Sequence, residues 1–254
     1  VPVFQSGQYV NFYLTVGDSV LTRAYSISSA PYEARLDEPF FEVTIRHNVH
    51  YLVPDWFQEN VKVGTEITAA LPFGQFCYEP LRDSDHIVGI AGGSGITPFA
   101  SMAKDIDLTI IYGSVKHTDI VCGDELQAAA DTAPDKIHLV HVMSDDDEWD
   151  GEKGFVTEEI IRKYSPEGAS YFFCGPPVMF FLIDKIMKEM GVPLKRFRHD
   201  ATAQPAVKMI PGFPMDQVGK SYKITVKRGI HEDVIDAAAD EPVAVALERA
   251  AIPI

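Results

Sequence analysis

The run Gly92-Gly93-Ser94-Gly95-Ile96-Thr97-Pro98 follows a continuous apolar stretch and precedes a helical one. Glycines at such a junction let the backbone turn tightly and approach a pyrophosphate, whose charge meets the unpaired N–H groups of the helix start. The spacing is not GxGxxG, so the ordinary dinucleotide fingerprint does not apply. The alternative is a glycine-rich turn with no ligand. A second group, Arg23-Ala24-Tyr25-Ser26, offers a guanidinium, an aromatic face and a short hydroxyl on one extended segment, with Arg23 and Tyr25 on the same side. Taken alone it reads as a surface strand. The third, Cys174-Gly175-Pro176-Pro177, ends the apolar strand Tyr171-Phe172-Phe173 at a carboxyl edge, where open α/β sheets bind ligands. By itself Cys174 reads as an inert buried thiol.

Two kinds of element must position these groups. From Val1 to about residue 84, short runs rich in Val, Ile, Thr, Tyr and Phe (Gln8 to Thr15, Ala24 to Ser28, Phe41 to Arg46, Glu66 to Ala70) predict an antiparallel barrel or sandwich. One helix is expected to interrupt it near Pro54-Asp55. Over 85–202, apolar runs without alternation are joined through helices, which predicts a doubly wound parallel sheet covered on both faces. A Pro- and Gly-rich linker over 203–220 leads to a partial third domain over 221–254, with a strand at Tyr222 to Lys227 and a helix at Glu241 to Ala251. The helix after Pro98 is expected to reach about Ile106 and meet the next strand at Asp107 or Leu108. That leaves no connecting loop, so residues are expected to be missing there.

Composition narrows the function. The 254 residues carry 22 basic and 37 acidic side chains, a net charge of −15. Nucleic acid and anionic membrane surfaces both reward clustered Lys and Arg, so neither is the expected partner. The few cations are expected to have specific anions to hold. Cys77, Cys122 and Cys174 lie far apart without CxxC spacing, so no metal ligand set is expected within the printed chain. Reduced thiols point to the cytoplasm. The most apolar stretch, Tyr171 to Ile183, is too short to span a bilayer and is broken by Gly175, Pro176 and Pro177. Val1 and Ile254 both read as cut ends of a longer protein.

In this order, RAYSISS, PFGQF (Pro72 to Phe76), GGSGITP and YFFCGPPVM resemble the ferredoxin–NADP reductase superfamily of flavin oxidoreductases over about residues 1–202. The tail, from YKITVKRGI to Ile254, resembles the opening hairpin and helix of a plant-type ferredoxin domain of β-grasp fold. The resemblance implies an FAD- or FMN-binding barrel, an NAD(P)H-binding α/β domain and a 2Fe–2S cluster bound by cysteines beyond Ile254. It implies that Arg23 holds a flavin phosphate, Tyr25 packs on the isoalloxazine and Ser26 bonds N5, while Thr44 and Ile45 edge the ring. Gly92, Gly93, Ser94, Gly95, Ile96 and Thr97 would cradle the dinucleotide pyrophosphate. Gly113 and Ser114 would flank its adenosine half, and Cys174, Gly175 and Pro176 would face the nicotinamide.

Two departures stand out. Relatives carry a Gly pair or Gly-x-x-Ser where this chain has Val49-His50-Tyr51-Leu52-Val53-Pro54-Asp55. Pro54 lacks an N–H, which leaves the backbone of Leu52 and Val53, and His47 or His50, to meet the flavin phosphates, unless residues are missing between Arg46 and Leu52. Asp200, in Arg198-His199-Asp200, replaces a common Glu near the nicotinamide, so a catalytic carboxylate there reaches the site through water. Otherwise His199 and Asp200 are a solvated charge cluster. NADH and NADPH remain open, since Ser114 with Lys116 could take a 2′-phosphate. The acidic run Asp145-Asp146-Asp147-Glu148 reads as a solvated loop, or as a repeller of the wrong redox partner. The implied activity is electron transfer from NAD(P)H through flavin to the iron–sulfur domain and on to a partner protein such as an oxygenase. The rivals are a reductase-like binding subunit without flavin and a reductase acting directly on small acceptors.

Overall fold

The computed structural model describes residues 1–254 apart from 18, 48–51, 202–206, 208–211, 230, 251, 253 and 254. His50 and most of the 203–211 linker therefore lie outside the described residues. The chain divides into two units: Val1–Val10, Ala24–Arg46 and Leu71–Ala203 form one, and Asn11–Arg23, His47–Ala70 and Gln204–Ile254 form the other.

Strand β1 (Tyr9–Val16) alternates as its sequence demands, burying Val10, Phe12 and Leu14 and exposing Tyr13. It lies between β2 (Ser19–Ser26) and the two-residue β3 (Thr68–Ala69). Helix α1 (Leu52–Asn60) accepts Pro54 in its first turn and buries Val53 and Phe57, with the Phe57 ring 6.0 Å from Phe12. The strand expected over Phe41 to Arg46 reduces to a single bridge, Ile27↔Val43. The Ser28 N–H donates to the Glu42 carbonyl beside the bridge, but the Glu42 N–H leaves the ladder and donates to Ser29 Oγ. Among the described residues the expected barrel is thus a three-stranded antiparallel sheet with two isolated bridges.

The second sheet is built from β4 (Ile87–Gly92), β5 (Leu108–Ser114), β6 (Ile137–Met143), β7 (Glu152–Lys153), β8 (Ser170–Gly175) and β9 (Phe197–Ala201). Helices α2 (Thr97–Met102), α3 (Gly123–Thr132), α4 (Glu158–Tyr164) and α5 (Pro177–Glu189) connect them. All pairings are parallel, in the order β7-β6-β5-β4-β8-β9. Every residue of β4 and β8 is buried, which is why these strands read as unbroken apolar runs. Phe76, Phe99, Tyr112, Phe172 and Cys174 pack on one face, and Ile90, Ile111, Phe173, Ile183 and Met187 on the other.

Helix α2 ends at Met102, not near Ile106. The next residues fold back, with the Asp105 and Ile106 N–H groups donating to the Met102 carbonyl. Ala103 to Asp107 therefore supply the connection to β5, and no inserted residues are needed. Edge strand β9 is secured by Arg198, which donates to the fully buried Asp83 carboxylate and lies 4.6 Å from the Phe172 ring centroid.

Beyond the linker, β10 (Ser221–Arg228) and β11 (His231–Ala238) form an antiparallel hairpin followed by α6 (Val243–Arg249). Ala237, Ala246 and Ile252 are buried there.

Two half-buried histidines set a pH response. Burial, and for His86 also the neighbouring His138, pushes the imidazoles of His86 and His141 below their ordinary value. The unfolded chain then binds more protons than the folded one as pH falls. Stability should be fully present above the ordinary histidine value of about 6.5 and decline below it. We expect a lower urea midpoint at about pH 5.5 than at about pH 7.5, with the difference reduced in His141→Asn.

Candidate functional site

The glycine turn is built by exclusion of side chains. Gly92 ends β4, and a Cβ there would lie 2.6 Å from Met179 Sδ and 2.9 Å from Pro176 Cδ. Gly93 turns with φ 53, in the left-handed region that favours glycine. A Cβ on Gly95 would fall 2.2 Å from the Cys174 carbonyl oxygen and 2.7 Å from the Gly175 nitrogen. The turn runs as a 3-10 helix over Gly93–Ile96 into α2, with Thr97 Oγ1 donating to the Ser94 carbonyl at 3.1 Å. Tyr112, fully buried on β5, holds it from below. Its hydroxyl donates to the Gly93 carbonyl at 3.0 Å and accepts from the Val121 N–H at 3.1 Å.

Above the turn, at the carboxyl ends of β4, β5 and β6 and the start of α5, lies a cavity of about 530 Å³. Of the residues anticipated from sequence, Gly92, Gly93, Gly113, Ser114 and Pro176 line it. Gly95, Ile96 and Thr97 are buried and shape the turn, and Ser94 is exposed. The walls are apolar, with Phe155, Val156, Met179 and Leu182, and the charged lining residues are Arg46 and Asp119. Sequence reasoning assigned no role to Arg46, Asp119, Tyr112 or Met179. The signal that could have found Arg46 is its place just after Thr44-Ile45, at a strand end.

The acidic run is only partly solvated. Asp145, Asp147 and Glu148 are exposed or project to solvent, but Asp146 accepts from the His117 backbone N–H at 2.7 Å and contacts its Nδ1 at 2.6 Å. The backbone bond, with help from the imidazole, holds the Asp146 carboxyl below its usual range. The run is fastened alongside the cavity, because the Ser144 and Asp145 N–H groups donate to the carbonyls of Ser114 and Val115.

Cys174 is fully buried among Phe76, Phe99 and Phe172, and burial pushes its thiol up, with a further contribution from Asp200, opposite it on β9. Asp200 is itself pushed up by burial and partly offset by His199, whose ring lies 4.4 Å from that of Phe180. Asp200 and His199 line a separate cavity of about 390 Å³ with Tyr9, Gln75 and Phe76. Thr44 lines a third, of about 280 Å³, where its hydroxyl donates to Ser28 Oγ at 3.1 Å and lies 3.5 Å from Cys122 Sγ. Tyr25, Ser26 and Ile45 are half-buried, and the Ser26 hydroxyl has no side-chain partner among the described residues. In the second unit, Arg23 Nη1 donates to the Thr22 carbonyl at 2.6 Å, Val53 is buried and Leu52 opens α1.

Residues 90–185 match the family model of the oxidoreductase NAD-binding domain. The chain is 30% identical over 211 residues to the toluate 1,2-dioxygenase electron transfer component of Pseudomonas putida, covering 80% of this chain and 60% of the relative. It is also 30% identical over 197 residues to NADH-cytochrome b5 reductase 1 of Mycosarcoma maydis, covering 73% and 59%. The chain thus spans about three fifths of each of these two relatives. Among solved structures, the flavohem-like FAD/NAD-binding domain of nitric oxide dioxygenase from Vibrio cholerae superposes with a TM-score of 0.68 at 22% identity, covering 79% of this chain and 86% of that one. Residues 90–185 thus carry the match to the oxidoreductase NAD-binding domain, and the likeness to the Vibrio cholerae domain shows the shared fold, with its parallel sheet and a glycine-walled cavity at the carboxyl edge.

Proposed function

We propose that the chain is the reductase portion of a flavoprotein that takes hydride from NADH and passes electrons through an iron–sulfur domain to a partner protein such as an oxygenase. The observation that carries this reading is the cavity above Gly92 and Gly93, beside a turn that leaves no room for a side chain at Gly92 or Gly95. The relatives that act as electron transfer components of oxygenases, and the β10–β11 hairpin with α6, support the route onward. On this reading the flavin part occupies 1–84 and the NADH part 85–202. A 2Fe–2S domain begins near 221, and the protein is cytoplasmic; no helix among the described residues is long and apolar enough to cross a membrane.

FAD, with FMN as the lesser alternative, supplies when bound the two-electron to one-electron conversion that a nicotinamide cannot perform. Half-buried Tyr25 and the uncommitted Ser26 hydroxyl fit a planar ring with a polar edge. Arg23 and the backbone of Leu52 and Val53 would serve its phosphates, with Thr44 and Ile45 at its edge. Gly92 to Thr97 seat the dinucleotide pyrophosphate, and Gly113, Ser114 and Pro176 fix its two ends. Cys174 and Gly175, at the carboxyl end of β8, would stand on the nicotinamide side, with Asp200 opposite Cys174 on β9.

NADH is favoured over NADPH by charge. Asp119 lines the cavity just past β5, and the exposed Asp145 follows the lining residue Ser144 and donates its N–H to the carbonyl of the lining residue Val115, while the exposed Lys116 is not part of the lining. A 2′-phosphate entering there meets like charge. In the flavin-loaded protein without air, NADH should bleach the flavin, and its kcat/KM should exceed that of NADPH by about tenfold or more. A flavin that neither nucleotide bleaches refutes the enzyme reading. Bleaching without electron delivery to any protein acceptor favours direct reduction of small acceptors.

A further inference from the structure

We infer that the Met179 thioether is a modification site, oxidised by hydrogen peroxide to a sulfoxide that weakens ligand binding in the glycine cavity; the inference rests on the proposal that this cavity takes a dinucleotide. The chain has seven methionines. Met102, Met143 and Met187 are buried, Met179 and Met190 are half-buried and Met215 is 64% exposed, while Met209 lies outside the described residues. Among the described methionines only Met179 lines the glycine cavity.

Two glycines place that side chain. Met179 Sδ lies 2.6 Å from the point where a Cβ on Gly92 would stand, and Met179 Cε lies 3.5 Å from the equivalent point on Gly113. From the first turn of α5 it therefore covers the carboxyl ends of β4 and β5, where the glycine turn begins. The same wall includes Phe155, Val156, Val178 and Leu182, whose side chains donate no hydrogen bond. An apolar, polarisable thioether suits such a wall. Hydrogen peroxide changes its character: a sulfur lone pair attacks one peroxide oxygen, the S–O bond forms as the O–O bond breaks, and the other oxygen leaves as water with both protons. Sulfur is oxidised by two electrons and the peroxide is reduced by two. The sulfoxide has an acceptor oxygen and no donor. In a cavity that seats an anionic ligand, that partly negative oxygen and its lost hydration both oppose binding.

The flavin-loaded protein, as wild type and Met179→Leu, should be treated with hydrogen peroxide, its oxidised residues located by peptide mass spectrometry, and ADP-ribose titrated by calorimetry before and after treatment. We expect added oxygen on Met179 and Met215 and none on Met102, Met143 or Met187, with a roughly 10-fold loss of ADP-ribose affinity in wild type. Methionine sulfoxide reductases A and B with dithiothreitol should restore that affinity. Dithiothreitol alone, which reverses sulfenic acids and disulfides at the half-buried Cys122, should not. Met179→Leu should carry whatever affinity it starts with through the treatment unchanged. A Met179 that stays reduced while Met215 is oxidised overturns the inference. So does an oxidised wild type of undiminished affinity, or a Met179→Leu that loses as much as wild type. An untreated wild type that binds no ADP-ribose refutes the dinucleotide reading, and the inference with it.

Discussion

Gly95→Ala should lower kcat/KM for NADH by about 100-fold or more, because displacing a binding group by about 1 Å can cost that much. The added Cβ would sit 2.2 Å from the Cys174 oxygen and 2.5 Å from its carbonyl carbon. Both are backbone atoms of β8, a central strand buried along its whole length, so neither can swing aside. The turn must move instead, and Gly93 moves with it. The strain should also cost about 1–3 kcal/mol of stability. Ser94→Ala, next to it but exposed, should stay within about 0.5 kcal/mol of wild type. Steady-state kinetics and thermal unfolding on the two variants test this, and a Gly95→Ala enzyme with wild-type kcat/KM would show that the turn does not seat the dinucleotide.

Asp83→Ala should be the most destabilising single change of the set, at about 3–5 kcal/mol. The Asp83 side chain is fully buried and that of Arg198 is 10% exposed, so truncating the acid leaves a guanidinium inside the protein without its counter-charge. Arg198 Nε and Nη1 already lack hydrogen-bond partners, which leaves the ring of Phe172 as the only other support described for that cation. The double variant Asp83→Leu with Arg198→Met should recover much of the loss, since apolar replacements leave no charge to solvate. Urea unfolding of both single variants and the double variant measures the coupling. Because Arg198 secures β9, hydrogen exchange should rise in Phe197–Ala201 of Asp83→Ala before it rises in β4.

The parallel sheet was largely legible in the sequence because its central strands are buried on both faces, which turns β4 and β8 into unbroken apolar runs between glycines and prolines. The glycine turn was legible for the same reason: close approach of Gly95 to β8 forbids side chains, and three glycines in four positions betray that. Other features leave no local mark. Tyr112 looks like any core aromatic, and its two hydrogen bonds depend on where Gly93 and Val121 arrive in space. Arg46 looks like a surface cation ending a strand, and only the fold puts it over Gly93. The end of α2 at Met102 was missed because neither Gly nor Pro follows it; the turn is made by main-chain bonds back to Met102. The segment Phe41 to Arg46 has the alternation of a strand, but the Ser29 hydroxyl takes the Glu42 N–H and the pairing stops at a single bridge.

The dependence of Gly92 and Gly95 on residues of β8 and α5 also has a bearing on synthesis. During translation the turn and its Tyr112 support emerge together, since β5 follows β4 directly and pairs with it. The strand that gives Gly95 its seat, and the Met179 and Pro176 side chains that close over Gly92, leave the ribosome much later, after β6 and α4. A nascent chain halted before Ser170 can pair β4 with β5 and β5 with β6, yet it holds an open glycine loop with no wall. On the proposed reading, dinucleotide binding is therefore a late event in this chain's biogenesis, and one that reports on the insertion of β8 beside β4.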